Sequence, residues 1–205
     1  MEDVLDVYQR PYDLRRPVVC IDDTNKQLIK EERLPCKPGS PEKVDSVYIR
    51  NGVANVFMIS EPLAGKRDTV VTKTRTAVDF ANILKYTADE LYAEAEKIVL
   101  VTDNLNTHSP ASLYKAFSPE EARRLAERYE WHYTPVHGSW LDMAEIEIGI
   151  MSRQALSKPL PDLESFREQV RNWTIKRNAK QSKINWQFTT QDARIKLSRL
   201  YPTIL

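Results

Sequence analysis

The stretch VLVTDNLNTHSP, residues 99–110, contains the pattern from which the fold can be predicted. Four apolar or β-branched residues lead into Asp103, and a polar, turn-forming cluster that includes His108 follows. A short apolar run that ends in turn-forming residues is typical of a buried strand. The stretch therefore predicts a strand over residues 97–102 that ends at an aspartate.

A second strand of this kind follows Pro17, where PVVCIDDT runs from apolar residues into Asp22 and Asp23. VYIRNGVANVFMISEP and RDTVVTKT predict two or three more strands, with a hairpin turn at Asn51-Gly52, and WHYTP predicts another. Helical spacing and Ser-Pro caps predict five helices, which cover residues 76–93, a segment that begins at 110, residues 119–128, residues 141–156 and a segment that begins at 161. The first of these helices has a break near residues 85–88. Strands followed by alternating helices and strands predict one α/β domain, a mixed sheet flanked by helices.

The composition, with 41% hydrophobic and 29% charged residues among 205, is typical of a globular domain that buries a core. No apolar run approaches the roughly 18 residues of a membrane span, and the N-terminus lacks the features of a signal peptide. We therefore expect a cytoplasmic protein with no membrane partner. Cys20 and Cys36 lack metal-ligand spacing, so neither a disulfide framework nor a zinc site is predicted.

The net charge of +1 hides an asymmetry between two parts of the chain. Residues 151–205 hold 11 Lys/Arg against 4 Asp/Glu, whereas residues 1–150 hold 19 against 25. A basic segment is typical either of a solvated surface or of a region that binds a polyanion such as nucleic acid. The second interpretation gains support if the acidic part holds a cation-dependent site.

Several acidic residues are candidates for such a site. Asp22 and Asp103 each end a predicted strand, and parallel neighbouring strands would place both at one carboxyl edge of the sheet. On the predicted helix after HGSW, Asp142 and Glu145 share a face, whereas Glu147 points about 200° away from Glu145. At most one of the two glutamates can therefore join the aspartates.

Converging carboxylates repel each other unless a cation lies between them. Oxygen ligands favour Mg²⁺ or Mn²⁺, and a pair of such ions can stabilise the attacking and leaving oxygens of a phosphodiester. Together with the basic tail, this predicts metal-dependent phosphoryl transfer on nucleic acid. Taken alone, each aspartate is better explained as a strand-end or capping residue.

Three segments resemble the DDE transposases of the mariner-like superfamily, in particular their bacterial insertion-sequence branch. The segments are VVCIDD, VLVTDNLNTHSPASLY and HYTPVHGSWLDMAEIEIGIMSRQ, and the tail INWQFTTQDARIKLSRLYP is similar as well, so the resemblance runs from Val18 to the end. It implies an RNase H-like fold, with a basic helical C-terminal tail, in which Asp22, Asp103 and Glu145 are the catalytic triad and bind Mg²⁺ or Mn²⁺. It also implies nicking of double-stranded DNA at element ends and attack of the freed 3′-hydroxyl on target DNA.

The sequence departs from the family pattern at several points. Asp23 stands where the family usually has Glu, and Asp142 stands where it usually has Asn. Strand alternation alone does not choose between Asp22 and Asp23, and only the resemblance favours Asp22. The 41 residues between Asp103 and Glu145 exceed the family's usual spacing.

The helix-turn-helix DNA-binding modules of the family have no counterpart before Val18. Residues 1–16 are predicted to be a linker from such a region, which would be missing or separately encoded, and a homodimer is a further expected partnership. Residues 17–157 are predicted to be the catalytic core, and residues 158–205 a basic helical extension. The chain would then be a catalytic half, as a separate reading frame, a shortened chain or a decayed copy.

Residues beside the triad and in the tail are candidates for DNA contacts. Asn104 and His108 could orient Asp103 or touch phosphate, or they could form a turn and pack. The cations of the tail are predicted to contact phosphates with little sequence specificity. The candidate DNA-binding residues are Asn104, His108, His137, Arg171, Lys176, Arg177, Lys180 and Lys183.

Three other functions are compatible with parts of the sequence. DDTN suggests a haloacid-dehalogenase-like phosphatase, although such enzymes need an acid where Thr24 stands. A structure-selective RNase H-like nuclease, such as a junction resolvase, would share fold and metals but cleave branched DNA. An inactive or truncated transposase remnant that only binds DNA is suggested by Asp23, Asp142 and the absent N-terminal modules.

Overall fold

The computed structural model describes residues 1–33, 44–136 and 138–201. Its helices and strands are, in chain order, α1 (Glu2–Tyr8), β1 (Val18–Arg33), β2 (Val44–Glu61), β3 (Lys66–Thr72), α2 (Ala77–Tyr86), β4 (Ile98–Thr102), α3 (Leu113–Ala116), α4 (Pro119–Glu127), β5 (Tyr129–Tyr133), α5 (Met143–Gln154), α6 (Leu163–Ala179) and α7 (Thr190–Lys196). A π-helical turn continues α2, and short 3₁₀ turns precede α3 and α5 and follow α7. Within this described part of the chain, every helix falls short of the length and apolarity that a bilayer-crossing segment requires.

The five strands form one mixed sheet in the order β3-β2-β1-β4-β5. Strands β1, β2 and β3 pair antiparallel as consecutive strands, whereas β1, β4 and β5 pair parallel. Parallel neighbours need crossover connections, which the helices between them provide. The structure thus confirms the predicted mixed sheet flanked by helices.

Alternation along the strands divides the core into one layer on each face of the sheet. On one face, Cys20 and Met58 pack with α1, α5 and α6, and on the other face, Ile21 and Phe57 pack with α2, α3 and α4. The central strands are therefore covered on both sides. This explains why the β4 segment IVLVT is a continuous apolar run rather than an alternating one.

Strand β1 is longer than predicted. The sequence pattern indicates an end at Asp22, but the antiparallel pairing of β1 with β2 continues to Arg33. Its parallel pairing with β4 covers only three residues and ends at Cys20. Asp22 therefore lies within β1 but beyond the residues of β1 that pair with β4. At this position β1 pairs with β2 only, so a polar side chain need not lie between two neighbouring strands.

The prediction of a hairpin turn at Asn51-Gly52 is wrong. Both residues lie inside β2, where the register against β1 shifts between Gln27 and Ile29. Gly52 adopts a φ of +89°, and glycine tolerates this angle in a β-bulge as readily as in a turn. Cys36 lies outside the described residues.

Residues 1–16 begin with a helix of the core, which corrects their interpretation as a linker. Helix α1 buries Val4, Leu5 and Val7 completely. His132 on β5 contacts Asp3 of this helix, with 2.7 Å between Nδ1 and Oδ2. Charged residues and prolines surround these apolar residues, so their helical spacing is difficult to recognise in the sequence.

The C-terminal extension packs on the sheet as well. Phe166, Val170 and Trp173 of α6 join the same core layer as α5. Helix α7, which the sequence pattern did not predict, pairs with α1 through Arg194 and Glu2 at 2.7 Å. Much of the basic charge therefore lies on the outer surface of a packed element.

Candidate active site

Asp22 and Asp103 lie together at one edge of the sheet. The parallel pairing of β1 and β4 ends at Cys20 and Val101, so both aspartates leave the paired region at the same edge. One oxygen of each aspartate and one ring nitrogen of His108 all lie within 4.8 Å of one another. The structure thus brings together the first two acids of the predicted triad.

His108 joins two carboxylates through its two ring nitrogens. Nδ1 lies 2.5 Å from Asp103 Oδ1, and Nε2 lies 3.2 Å from Asp23 Oδ1. The side chain is 1% exposed and stacks on Phe80 at a centroid distance of 4.3 Å. A ring buried in this way is not available to DNA, so its assignment as a DNA contact is corrected. The contacts favour the alternative that His108 orients Asp103.

The electrostatics of this group follow from burial and from the short distances between charges. Burial would lower the pKa of His108, but its hydrogen bonds to Asp103 and Asp23 raise it to about 9. Burial would raise the pKa of Asp103, but the bond from His108 keeps it below its usual value. Burial, reinforced by the charge of Asp103, raises the pKa of Asp22 to about 7. Asp22 is therefore the member of the group that gains most from a nearby cation.

Asp22 and Asp23 point to opposite faces of the sheet, because successive strand residues alternate. Asp22 shares its face with Cys20, and α5 covers that face. The Asp23 side chain is 2% exposed and lies 3.3 Å from Arg75 in addition to its contact with His108. This placement favours Asp22 over Asp23 as a metal ligand.

Helix α5 begins beside Asp22. Asp142 is its N-cap, and Oδ1 accepts a hydrogen bond from Ala144 N–H at 2.8 Å. The residue is fully buried, and its Oδ2 has no hydrogen-bond partner among the described residues. Burial, together with the charge of Asp22, raises the pKa of Asp142 well above its usual value.

Glu145 and Glu147 face different ways, as the helix geometry predicts. Glu145 lies exposed in the first turn of α5, outside the 4.8 Å group but close enough for its charge to act on Asp142. Glu147 is fully buried, with Oε1 at 2.7 Å from Arg67 Nη2 and 2.9 Å from Arg177 Nη2. Glu147 is thus occupied by an internal ion-pair network, and Glu145 is the glutamate on the side of the aspartates.

The residues at this edge fit a hard divalent cation. The donors are carboxylate oxygens, which Mg²⁺ and Mn²⁺ prefer. Both nitrogens of His108 already face carboxylates, so the histidine acts as a hydrogen-bond donor here rather than as a ligand. The buried Oδ2 of Asp142, which lacks a donor among the described residues, is the kind of atom that a nearby cation would satisfy.

The remaining predicted DNA contacts divide into exposed and internal residues. Asn104 is exposed beside Asp103. Arg177 is half-buried, and its Nε lies 3.0 Å from Glu147 Oε2, so its prediction as a phosphate contact is corrected. Its guanidinium group is bound to Glu147, which it shares with Arg67, inside the protein. His137 lies outside the described residues. The exposed cations are Arg171, Lys176, Lys180 and Lys183.

Two residues that support the site were not predicted from the sequence. The Tyr8 hydroxyl donates to the carbonyl of Leu141, 133 positions away, immediately before Asp142. Arg67 of β3 holds Glu147, which is 80 positions away. A tyrosine in a polar N-terminal segment and an arginine in a strand carry no local signal of such a role.

The fold at this site is similar to that of solved structures. The structure "Crystal structure of the mariner Mos1 paired end complex with Mg" matches with a TM-score of 0.52 and 15% identity, covering 87% of this chain and 56% of that chain. A chain of the simian T-cell lymphotropic virus intasome in complex with PP2A regulatory subunit B56 gamma matches with a TM-score of 0.50 and 12% identity, covering 80% and 50%. This chain thus spans about half the length of these proteins. The likeness confirms the RNase H-like fold.

In sequence, no curated protein matches the chain. The model of one protein family, described as DDE superfamily endonuclease, matches residues 17–167. This range is most of the chain and includes Asp22, Asp103 and Glu145. The chain therefore belongs to the DDE superfamily endonucleases.

Proposed function

We propose that this chain is the catalytic core of a transposase, which cleaves DNA at the ends of an insertion sequence and joins those ends to target DNA. The observation that carries the proposal is the meeting of Asp22 and Asp103 at one edge of the sheet, beside the helix that bears Glu145. Residues 17–157 form the proposed catalytic core, on which α1 packs, and residues 158–205 form its C-terminal extension. A cytoplasmic location, a homodimer and a helix-turn-helix partner belong to the same proposal.

The proposed chemistry assigns a role to each carboxylate. Asp22, Asp103 and Glu145 would hold Mg²⁺ or Mn²⁺, which activates water and offsets the charge that develops on the attacked phosphate. In cleavage, the oxygen of water bonds to phosphorus, the bond to the 3′-oxygen breaks, and that oxygen leaves as a 3′-hydroxyl. In transfer, the freed 3′-hydroxyl oxygen bonds to a phosphorus of target DNA and displaces another 3′-oxygen.

The protein contributes rigid placement to this reaction. Asp103 is held by His108 through Oδ1, so Oδ2 is the oxygen left for a cation. Asp22 is held through Oδ1 as well, which accepts from Asp23 N–H at 2.7 Å. Fixing both ligands before the cation arrives reduces the entropy lost in reaching the reactive arrangement.

A plasmid-nicking assay tests the proposal. We expect the chain to convert supercoiled plasmid to nicked circles with Mg²⁺ or Mn²⁺. When the plasmid carries the inverted repeats that flank the gene of this chain, we expect cleavage at those repeats. Asp103→Asn should abolish nicking and leave DNA binding intact. Asp13→Asn, at an exposed residue that precedes the start of β1, is the matched control. Unchanged nicking by Asp103→Asn would refute the assignment.

A remnant that binds DNA without cleaving it is the second candidate function. Asp142, a buried acid where the family usually has Asn, favours it because an added carboxylate can crowd the cations. This candidate predicts DNA binding with no nicking and weak affinity for Mn²⁺. The same assay, run beside a metal titration, separates the two functions.

A further inference from the structure

Tyr8 of α1 contacts both segments that carry the carboxylates. Its hydroxyl donates to the Leu141 carbonyl at 2.6 Å and lies 3.7 Å from Cys20 Sγ. A tyrosine hydroxyl has one proton, so the thiol of Cys20 is the donor in the second contact. Tyr8 is 6% exposed, and its ring lies 5.2 Å from that of Trp186.

The two partners of Tyr8 lie close to the acids along the chain. Cys20 precedes Asp22 by two residues on the same face of β1. Leu141 ends the 3₁₀ turn before α5, so its position determines where that helix, with Glu145, begins. The hydroxyl group of Tyr8 thus contacts both the strand that carries the first acid and the turn that leads into the helix that carries the third.

Helix α1 is itself bonded to other elements of the fold at several points. Asp6 accepts a hydrogen bond from Thr190 at 2.6 Å, and Glu2 pairs with Arg194 at 2.7 Å. Both partners lie in α7 of the C-terminal extension. The bond between His132 and Asp3 fastens the same helix to β5.

We propose that Tyr8 is a positioning residue, whose hydroxyl sets the distance between Asp22 and Glu145 that cation binding and cleavage require. The inference rests on the proposed function, because it assigns these acids to one site. It gives the N-terminal helix a role in the reaction, although no residue of α1 belongs to the site itself.

The test compares Tyr8→Phe with Tyr129→Phe in the 205-residue chain. Tyr129 is 4% exposed and donates its hydroxyl to the Leu84 carbonyl, on the face of the sheet away from α5. Each variant removes one buried hydroxyl-to-carbonyl bond and keeps the ring, so the two should denature at similar temperatures. This pairing separates an effect on the site from a general loss of stability.

We expect Tyr8→Phe to lower kcat for plasmid nicking about ten- to a hundredfold with little change in KM for DNA, because a small displacement of α5 misplaces Glu145. Tyr129→Phe should stay within about twofold of the wild type. Equal losses of kcat in the two variants would overturn the proposal.

A titration with Mn²⁺ alone provides a readout that does not depend on cleavage. Removal of groups that orient metal ligands typically weakens affinity about ten- to a hundredfold, so Tyr8→Phe should bind Mn²⁺ more weakly than Tyr129→Phe by such a factor. If the wild type binds Mn²⁺ and nicks no DNA, the proposed function fails and the titration alone decides the role of Tyr8. Equal affinity of the two variants for Mn²⁺ would then overturn the proposed role of Tyr8.

Discussion

His108 holds Asp103 through a 2.5 Å contact between Nδ1 and Oδ1. The backbone N–H of Leu105 donates to the same oxygen at 3.1 Å. Both donors come from the turn that follows β4, within five residues of the aspartate. The carboxylate is therefore oriented by this turn, whereas β4 fixes only where its backbone leaves the sheet.

Two substitutions at His108 separate its two contacts. His108→Asn can place an N–H near the position of Nδ1, and His108→Gln can place one near Nε2. We predict that His108→Asn retains more plasmid nicking, because it keeps the bond to the proposed ligand Asp103. The opposite order of initial rates would show that the bond to Asp23 matters more.

His108→Ala loses both bonds and should lower the free energy of unfolding by on the order of 2–3 kcal/mol.

Glu147 should be essential for stability. Glu147→Gln leaves Arg67 and Arg177 without their anion inside the protein, and breaking a buried pair in this way costs about 3–5 kcal/mol. Denaturant unfolding measures the loss. Glu164→Gln, at an exposed glutamate with a 3.6 Å contact to Arg167, is the control and should change stability by less than about 0.5 kcal/mol. Equal effects of the two changes would contradict the structural role of Glu147.

The contribution of Glu147 should also depend on pH. Burial would raise the pKa of Glu147, but Arg177 and Arg67 hold it below the usual 4.5. The unfolded chain then binds this proton more tightly, so the stabilisation is complete above about pH 4.5 and is lost as the pH falls below it. We predict that the stability difference between wild type and Glu147→Gln is constant near neutral pH and shrinks in acid. Unfolding curves over a pH series check this, and a constant difference would contradict it.

Asp142→Asn should stabilise the protein. Asn keeps the N-cap acceptor, whereas burial and the charge of Asp22 raise the pKa of Asp142 well above its unfolded value. A raised pKa means that stability falls as the pH rises from the unfolded value toward the folded one. We therefore expect a gain on the order of 1–3 kcal/mol at neutral pH in EDTA, which disappears in acid.

The control for this change is Asp162→Asn, at the exposed N-cap of α6, where Oδ1 accepts from Ser165 N–H at 2.8 Å. It removes a charge from an equivalent cap that carries no burial penalty, so no gain is expected. A loss of stability in both variants would show that Asp142 serves only as a helix cap.

The exposed and internal cations of the tail should behave differently. Lys180→Ala combined with Lys183→Ala should weaken DNA binding, and the slope of log affinity against log salt should fall by about 1 for each phosphate that the variant no longer neutralises. Stability should change by less than about 0.5 kcal/mol. Arg177→Ala should instead unfold more easily, because Glu147 loses a buried partner. Fluorescence anisotropy at several salt concentrations measures the binding, and an unchanged slope in the lysine variant would exclude these two lysines as phosphate ligands.

Much of the fold could be predicted because its signals are local. The apolar run of β4 and the turn residues after it are adjacent in sequence, so the end of the strand at Thr102 was predicted correctly. The Ser118-Pro119 start of α4 was correct for the same reason. The hairpin prediction at Asn51-Gly52 was wrong because a glycine with positive φ suits a bulge as well as a turn. Only the pairing with the neighbouring strand distinguishes a bulge from a turn.

The sequence by itself determined the order of the strands and helices from β3 to α6, the family and the positions of the acids along the chain. Only the tertiary structure decided which of them face one another. It placed Asp22 on the face that α5 covers, and it turned Glu147 inward to Arg67, 80 positions away. It also buried His108 between two carboxylates and attached Tyr8 to Leu141. Such contacts depend on the order of strands in the sheet and on helix packing, whereas periodicity and caps record only neighbours along the chain.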